Sequence, residues 1–113
     1  MTPDPGEDEL WAAVADPSRR RVLDLLVEKG EATATALAPN LPVSRQAVVK
    51  HLGVLERAGL VRSRRSGREV RYVVDADRLD EATRALASAA HRWDARLAAI
   101  KRLAEAAARE GAG

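Results

Sequence analysis

Basic side chains are concentrated in the middle of this chain, and they are the groups most able to bind a charged partner. Residues 44–75 carry eight Arg and Lys against three Asp and Glu, a net charge of +5. Residues 1–43 carry a net −4 and residues 76–113 a net +1, so the total of +2 conceals this segregation. Such a block is typical of a segment that binds a polyanion, although a solvated basic face has the same charge count.

The first half of the basic block predicts a helix over residues 44–58. Ser44 is a favourable N-cap and Gly59 a favourable stop. Three apolar residues recur at helical spacing and should face the core: Val48, Leu52 and Leu55. The side chains expected to face solvent or a ligand are Arg45, Gln46, Val49, Lys50, Gly53 and Arg57. Gly53 costs this helix about 1 kcal/mol relative to Ala, which fits either a close backbone approach or a neutral surface substitution.

The second half of the basic block predicts a β-hairpin within residues 60–75. LVRSRR and EVRYVV alternate apolar and charged residues, and Ser66-Gly67 favours a tight turn between them. Arginines occupy five positions of this hairpin: Arg62, Arg64, Arg65, Arg68 and Arg71. The tip of the hairpin is therefore expected to be strongly basic.

Three short helices should precede the basic block and hold it in place. The first is expected from Glu7 to the pair Asp16-Pro17, which combines a good N-cap with a good first helical residue. The second then runs to Gly30, and the third is expected around residues 34–38.

The chain should end in a long helix over about residues 77–110. Apolar residues recur there every seven positions, which favours a partner helix over packing on the chain's own core alone. Together with the apolar face of the first helix, the expected dimer interface comprises Leu10, Trp11, Val14, Leu79, Leu86, Ala90, Trp93, Leu97 and Ile100. The length of 113 residues fits one domain, expected over residues 7–110 after a disordered, acidic leader of residues 1–6.

Four helices, two strands and a final helix predict a mainly α fold with a β-hairpin wing, the winged helix-turn-helix. Three motifs, LWAAVADPSRRRVLDLL, TATALAPNLPVSRQAVVKHLGVLERAGLV and RSGREVRYVVD, resemble the ArsR/SmtB family of bacterial transcriptional repressors. The resemblance covers about residues 10–75. A shorter motif, WDARLAAIKRL, resembles a subgroup often encoded beside START-domain (SRPBCC) proteins.

The resemblance implies a homodimer that binds an inverted repeat in double-stranded DNA. The helix 44–58 would enter the major groove, and the wing would follow the flanking backbone or minor groove. Arg reads guanine and Gln reads adenine through paired hydrogen bonds, so Arg45 and Gln46 are the expected base readers. Val49 stands where many family members have Ser, which leaves either an apolar contact with a thymine methyl or no contact.

Phosphate contacts are expected around these base readers. Ser44 leaves helix N-terminal amides free to meet a phosphate. Four basic side chains should hold phosphates: Lys50, Arg64, Arg65 and Arg68. The alternative for Arg68 is to enter a narrow minor groove. His51 is expected either to pack or to contact a phosphate.

The chain has no cysteine and two histidines, which argues against the metal sensing known in this family. TATALAP stands where thiolate sensors carry a Cys pair, and His91 alone on the last helix falls short of a zinc site. Because no nucleophile or phosphate-loop motif is present either, we expect no metal, no other cofactor and no enzymatic activity.

The sequence also bears on the cellular location of the protein, on a possible effector and on an alternative function. The absence of cysteines, of a signal peptide and of a long apolar run predicts a cytoplasmic protein without membrane contact. A small-molecule effector of unknown identity could bind near Trp11 and Trp93, where core packing is the alternative role. The competing function is a winged-helix protein-interaction module without DNA binding, and the dense arginines of the hairpin favour DNA.

Overall fold

The computed structural model describes residues 5–112. Its first helix, α1, spans Pro5–Ala15 and therefore begins before the expected start at Glu7. The rest of the predicted leader, residues 1–4, lies outside the described residues. Between residues 5 and 112, no helix is long and apolar enough to cross a membrane.

Asp16 forms the corner between α1 and the second helix, α2 (Pro17–Lys29), as the sequence predicts. Its carboxylate accepts hydrogen bonds from the backbone N–H groups of Ser18 (2.8 Å) and Arg19 (3.1 Å). These donors, that of Arg19 first, hold the pKa of Asp16 below its usual value. The cap is therefore at full strength above the unfolded-state pKa and is lost as the pH falls through the lowered one.

A helix-turn-helix follows, in which α3 (Ala34–Leu37) leads through a 3-10 turn (Ala38–Asn40) to α4 (Arg45–Arg57). Ser44 caps α4 as predicted, because its hydroxyl oxygen accepts a hydrogen bond from the Ala47 N–H at 3.1 Å. The three apolar residues predicted to face inward are fully buried: Val48, Leu52 and Leu55. The sequence thus determined both the start and the rotation of α4.

The wing is an antiparallel hairpin of β2 (Val61–Ser66) and β3 (Glu69–Val74). Gly67 and Arg68 form its two-residue turn. Gly67 has φ +64°, and no non-glycine residue among those described has a positive φ. A glycine with positive φ at the first central position, followed by a residue with negative φ, is typical of a type II′ hairpin turn. Arg68 therefore occupies the tip of the wing.

A third strand, β1 (Glu31–Thr33), was not predicted. It pairs with β3 on the side opposite β2, with Ala32 opposite Tyr72, so the sheet order is β1-β3-β2. Three residues are too few to show an alternating pattern, and the strand exists because β3 supplies the hydrogen-bonding edge. The expected two-stranded hairpin is therefore part of a three-stranded sheet.

The last helix, α5 (Ala76–Ala112), begins on the core and continues beyond it. Ala82 and Ala89 are 4% and 1% exposed, and Leu79 and Leu86 pack against the core. A helix of this length extends about 55 Å. The Cα radius of gyration is accordingly 19.4 Å, against about 13 Å for a compact domain of ~100 residues.

Gly53, inside α4, and Gly59, two residues after its end, should respond oppositely to replacement by Ala. A Cβ at Gly53 would meet only the Arg57 side chain, at 3.6 Å, so there is no close backbone approach. Gly53→Ala should therefore raise the free energy of unfolding by about 0.5–1 kcal/mol. Gly59 has φ +81°, and a Cβ there would lie 2.9 Å from Arg78 Nε.

Gly59→Ala should therefore lower the free energy of unfolding by about 1–2 kcal/mol, since the left-handed conformation strains any residue with a Cβ. Urea unfolding of both variants checks the pair. A destabilised Gly53→Ala protein would contradict the open surface at that position.

Candidate nucleic-acid interface

The outer face of α4 presents the side chains predicted to read DNA. Arg45, Gln46, Val49 and Lys50 are all exposed, and Val49 is 43% exposed despite being apolar. Ser44 satisfies the N–H of Ala47, whereas the first two N–H groups of a helix have no partner within it. The N-terminus of α4 therefore offers donors and the positive end of the helix dipole to an anion.

His51 lies on the other side of α4. Two residues along a helix turn by about 200°, so His51 points away from the direction of Val49. It is partly buried, and its Nδ1 is enclosed without a hydrogen-bond partner among the described residues. The enclosed Nδ1 agrees with packing, one of the two roles expected for His51, and the phosphate contact stays a prediction.

The arginines of the wing fall into two groups. Three of them are paired: Arg64 Nη2 lies 2.8 Å from Glu31 Oε1, Arg71 Nη2 lies 3.1 Å from Glu69 Oε2, and Arg62 Nε lies 3.5 Å from Asp75 Oδ2. Within residues 5–112, Arg65 and Arg68 have no ion-pair partner, and Lys50 of α4 has none either. The positive charge of the wing is therefore least compensated towards its tip.

The ion pair with Glu31 distinguishes Arg64 from the two other wing arginines that are expected to contact phosphates. Glu31 is 33 positions earlier in the chain and lies on β1. The Arg64 side chain is 69% exposed and that of Glu31 38%, so solvent screens this ion pair and a phosphate can compete for Arg64. Arg64 must nevertheless give up a partner that Arg65 and Arg68 do not have.

A cleft of about 510 Å³ separates α4 from the wing. Arg45 and Val49 line one side, and Arg68 from the wing tip lines another. The complete lining is Thr33, Ala34, Thr35, Ala36, Arg45, Val49, Arg68, Glu69, Val70 and Tyr72. The predicted base-reading side of α4 and the tip of the wing therefore open onto one shared concave surface.

Two residues of this cleft were missed by sequence reasoning. Thr35 accepts a hydrogen bond from Arg45 Nε at 3.0 Å. Tyr72 is partly buried, and desolvation, reinforced by the charge of Glu56, raises the pKa of its hydroxyl. Tyr72 carried a sequence signal as the single tyrosine of the chain, inside the basic hairpin. Thr35 carried none, because its contact joins two separate helices.

The residues predicted for a dimer interface divide into two sets. Leu10 is 7% exposed and belongs to the core of the single chain, so its assignment to the interface is corrected. Val14, Leu79 and Leu86 pack beside that core. The exposed apolar set comprises Trp11 (38%), Trp93 (55%), Leu97 (56%) and Ile100 (59%), and Leu103 (70%), which was not predicted, extends it. Ala90 is also exposed.

The members of the exposed set that lie on α5 continue the buried face of that helix. Residues 82, 86, 89, 93, 97 and 100 follow spacings of three and four and so lie on one side of the helix. The early members are covered by the chain's own core, whereas the later ones are not covered by any of residues 5–112. An ion pair of 2.9 Å between Arg92 and Glu7 joins α5 to α1 next to the point where the buried part of this face ends and the exposed part begins.

A metal centre finds no support in the described part of the chain. No group of three or more His, Cys, Asp or Glu side chains between residues 5 and 112 is arranged to hold an ion. His91 is exposed on α5.

A capped helix following a short helix and turn, with a basic wing across a cleft, defines a winged helix-turn-helix regulator that binds DNA. A helix-turn-helix domain family matches residues 14–64. The uncharacterized HTH-type transcriptional regulator YuzN of Bacillus subtilis is 43% identical over 68 residues, which cover 55% of this chain and 74% of that protein. The transcriptional repressor SdpR of Bacillus subtilis is 32% identical over 65 residues, which cover 58% of this chain and 71% of SdpR.

A solved structure resembles this chain over most of the length of both proteins. The ArsR-like transcriptional regulator from Rhodococcus sp. RHA1 matches with a TM-score of 0.66 and 41% identity, covering 87% of this chain and 92% of that one. The chain belongs to the ArsR family of winged helix-turn-helix transcriptional regulators.

Proposed function

We propose that this protein is a homodimeric repressor that binds an inverted-repeat operator, with α4 in the major groove and the wing against the flanking backbone. The observation that carries the proposal is the shared cleft, onto which Arg45 and Val49 of α4 and Arg68 of the wing all open. A winged helix-turn-helix places the N-terminal residues of its second helix against base edges. In a dimer, the two copies of α4 would meet half-sites about one helical turn apart.

The roles of the individual side chains follow from their donors and charges. Gln46 and Arg45 are proposed to read bases, with Val49 beside them against a thymine methyl. The remaining contacts are proposed to hold phosphates through the α4 N-terminus and through basic side chains: Ser44, Lys50, Arg64, Arg65 and Arg68. Arg68 at the tip is also suited to a narrow minor groove.

Self-association is supported by the exposed apolar set on α5. A row of Trp and aliphatic side chains with more than half of each surface exposed is typical of an interface that a second helix covers. Repression is supported by the likeness to SdpR, which is itself a transcriptional repressor.

The signal to which the repressor responds is not a thiolate-bound metal in our proposal, because the chain has no cysteine. An apolar small molecule held between Trp11 and Trp93 of the dimer is the effector type that the composition of this region supports. The WDARLAAIKRL motif supports a regulated gene that encodes a START-domain protein. Inspection of the adjacent genes tests that point directly.

A salt titration tests DNA binding. The wild-type protein should select a duplex from a randomised library, and log Kd should change steeply with log salt, because each neutralised phosphate contributes about 0.9 to the slope. Replacing both Arg65 and Arg68 with Ala removes up to about four contacts per dimer and should make the slope shallower by roughly 3–4.

A matched control replaces two arginines of α5, Arg102 and Arg109, with Ala and should leave the slope unchanged. If the wild-type protein selects no duplex even at low salt, the proposal fails in favour of a protein-interaction module. An equal change of slope in the control variant would indicate charge loss in general and not a wing contact.

A further inference from the structure

We propose that Thr35 is a positioning residue for DNA recognition, which holds the Arg45 guanidinium in the orientation that reads guanine. This inference rests on the proposed function and adds to it a residue outside the recognition helix. Thr35 belongs to α3, the helix before the turn, so it would determine sequence preference through Arg45 without having to touch a base itself.

The geometry is a hydrogen bond across the helix-turn-helix. Arg45 is the first residue of α4, and its Nε donates to the Thr35 hydroxyl oxygen at 3.0 Å. Both residues are exposed, so the contact lies on the outer surface and not in the core. In residues 5–112 it is the one hydrogen bond between a side chain of α3 and a side chain of α4.

The position of the bond on the guanidinium decides which donors remain. A guanidinium can offer two acceptors either the edge of its two Nη groups or the edge of Nε and one Nη. Thr35 occupies Nε, so the edge formed by the two Nη groups remains for O6 and N7 of guanine. No carboxylate of the described residues pairs with Arg45, so this edge is not already engaged.

The contact also limits the freedom of the side chain before DNA arrives. Arg has many rotamers, and fixing it on binding costs free energy that lowers both affinity and selectivity. A hydroxyl that already holds Nε removes part of this cost. Losing it should reduce discrimination at the guanine position about threefold to tenfold.

The contact has a competing structural explanation, in which Thr35 merely ties α3 to α4. That explanation predicts a loss of thermal stability and an equal weakening on every DNA sequence. A positioning role predicts a loss confined to one base pair. The two explanations therefore differ in selectivity, which unfolding does not report.

The experiment uses the full chain and three kinds of duplex. They are the duplex that the wild-type protein selects from a randomised library, a series in which each G·C pair of one half-site is changed in turn to A·T, and a random duplex. Thr35→Val keeps the shape of the side chain and removes the acceptor. It should lose preference for one G·C pair and bind the random duplex as wild type does. Thr35→Ser keeps the hydroxyl and should restore the preference.

A matched control is Thr83→Val, which makes the same chemical change on α5, where the Thr83 hydroxyl donates to the Leu79 carbonyl at 2.9 Å. It should leave preference unchanged. Arg45→Lys keeps the charge and removes the planar fork, so it should lose the same preference. Adding Thr35→Val to Arg45→Lys should then have no further effect on selectivity.

The outcomes separate this inference from the proposed function. If wild-type protein selects no duplex, the proposed function fails and the inference falls with it. If wild-type protein selects a duplex but Thr35→Val keeps full preference, weakens all duplexes equally, or adds its loss to that of Arg45→Lys, the positioning role alone is overturned.

Discussion

Replacing Trp93 with Glu should convert the proposed dimer to monomers and weaken binding of the selected duplex by about a hundredfold or more. Trp93 is 55% exposed in the single chain and follows the buried Ala89 on the same side of α5. A partner helix on this side would enclose a carboxylate at position 93 in place of the indole. This costs apolar contact and desolvation, even though Arg96, whose guanidinium carbon lies 5.5 Å from the centre of the Trp93 ring, is near enough to pair with the carboxylate. The affinity falls because a monomer loses the effective concentration that links the two half-sites, worth about 10²–10⁴.

Sedimentation equilibrium measures the first effect and titration of the selected duplex the second. Ala98→Glu is the matched control, because residue 98 is exposed on the opposite side of α5 from Trp93. It adds the same charge and should leave the dimer intact. Circular dichroism establishes that both variants keep their helices. An undiminished Trp93→Glu dimer would refute the assignment of this face as the seam.

Replacing Gln46 with Ala should lower discrimination between the selected and random duplexes by about 1–3 kcal/mol for each half-site. Gln46 is exposed on the first turn of α4, and no hydrogen bond engages its side chain within the described residues. Its amide is therefore able to pair with the N6 and N7 edge of adenine. Because a dimer carries two copies, the losses at the two half-sites should roughly add.

Lys50→Ala provides the comparison on the same helix. Lys50 is equally exposed but offers a point charge without a paired donor and acceptor, so its loss should weaken both duplexes alike and reduce the salt slope. Competition titrations against random DNA measure both variants. If Gln46→Ala also weakens both duplexes alike, Gln46 holds the backbone and does not read a base.

Local sequence signals predicted the elements of this fold well where cap, period and turn agreed. The Ser44 cap and the burial of Val48, Leu52 and Leu55 are confirmed by the structure. The hairpin turn is also present, but it lies at Gly67-Arg68, one residue later than the predicted Ser66-Gly67, because Ser66 still pairs with Glu69. Each of these features depends on residues that are only a few positions apart, so a short stretch of sequence is enough to predict it.

Features that depend on distant partners were missed or misassigned. β1 exists because β3 lies beside it, and the Glu31 partner of Arg64 comes with that strand. Leu10 looked like an interface residue because an apolar helix face is the same in sequence whether its own core or a second chain covers it. The bond between Thr35 and Arg45 likewise depends on how α3 crosses α4.

The sequence by itself determined where the helices and the wing lie, which side of α4 faces outward, and that the basic charge gathers on α4 and the hairpin. Only the tertiary structure decided which of those charges remain unpaired, which apolar residues stay exposed, and that Arg45 is held by Thr35. The physical reason is the distance along the chain between the residues that interact. Caps, periodicity and turns act over a few residues, whereas pairing and burial depend on side chains that folding brings together from distant parts of the chain.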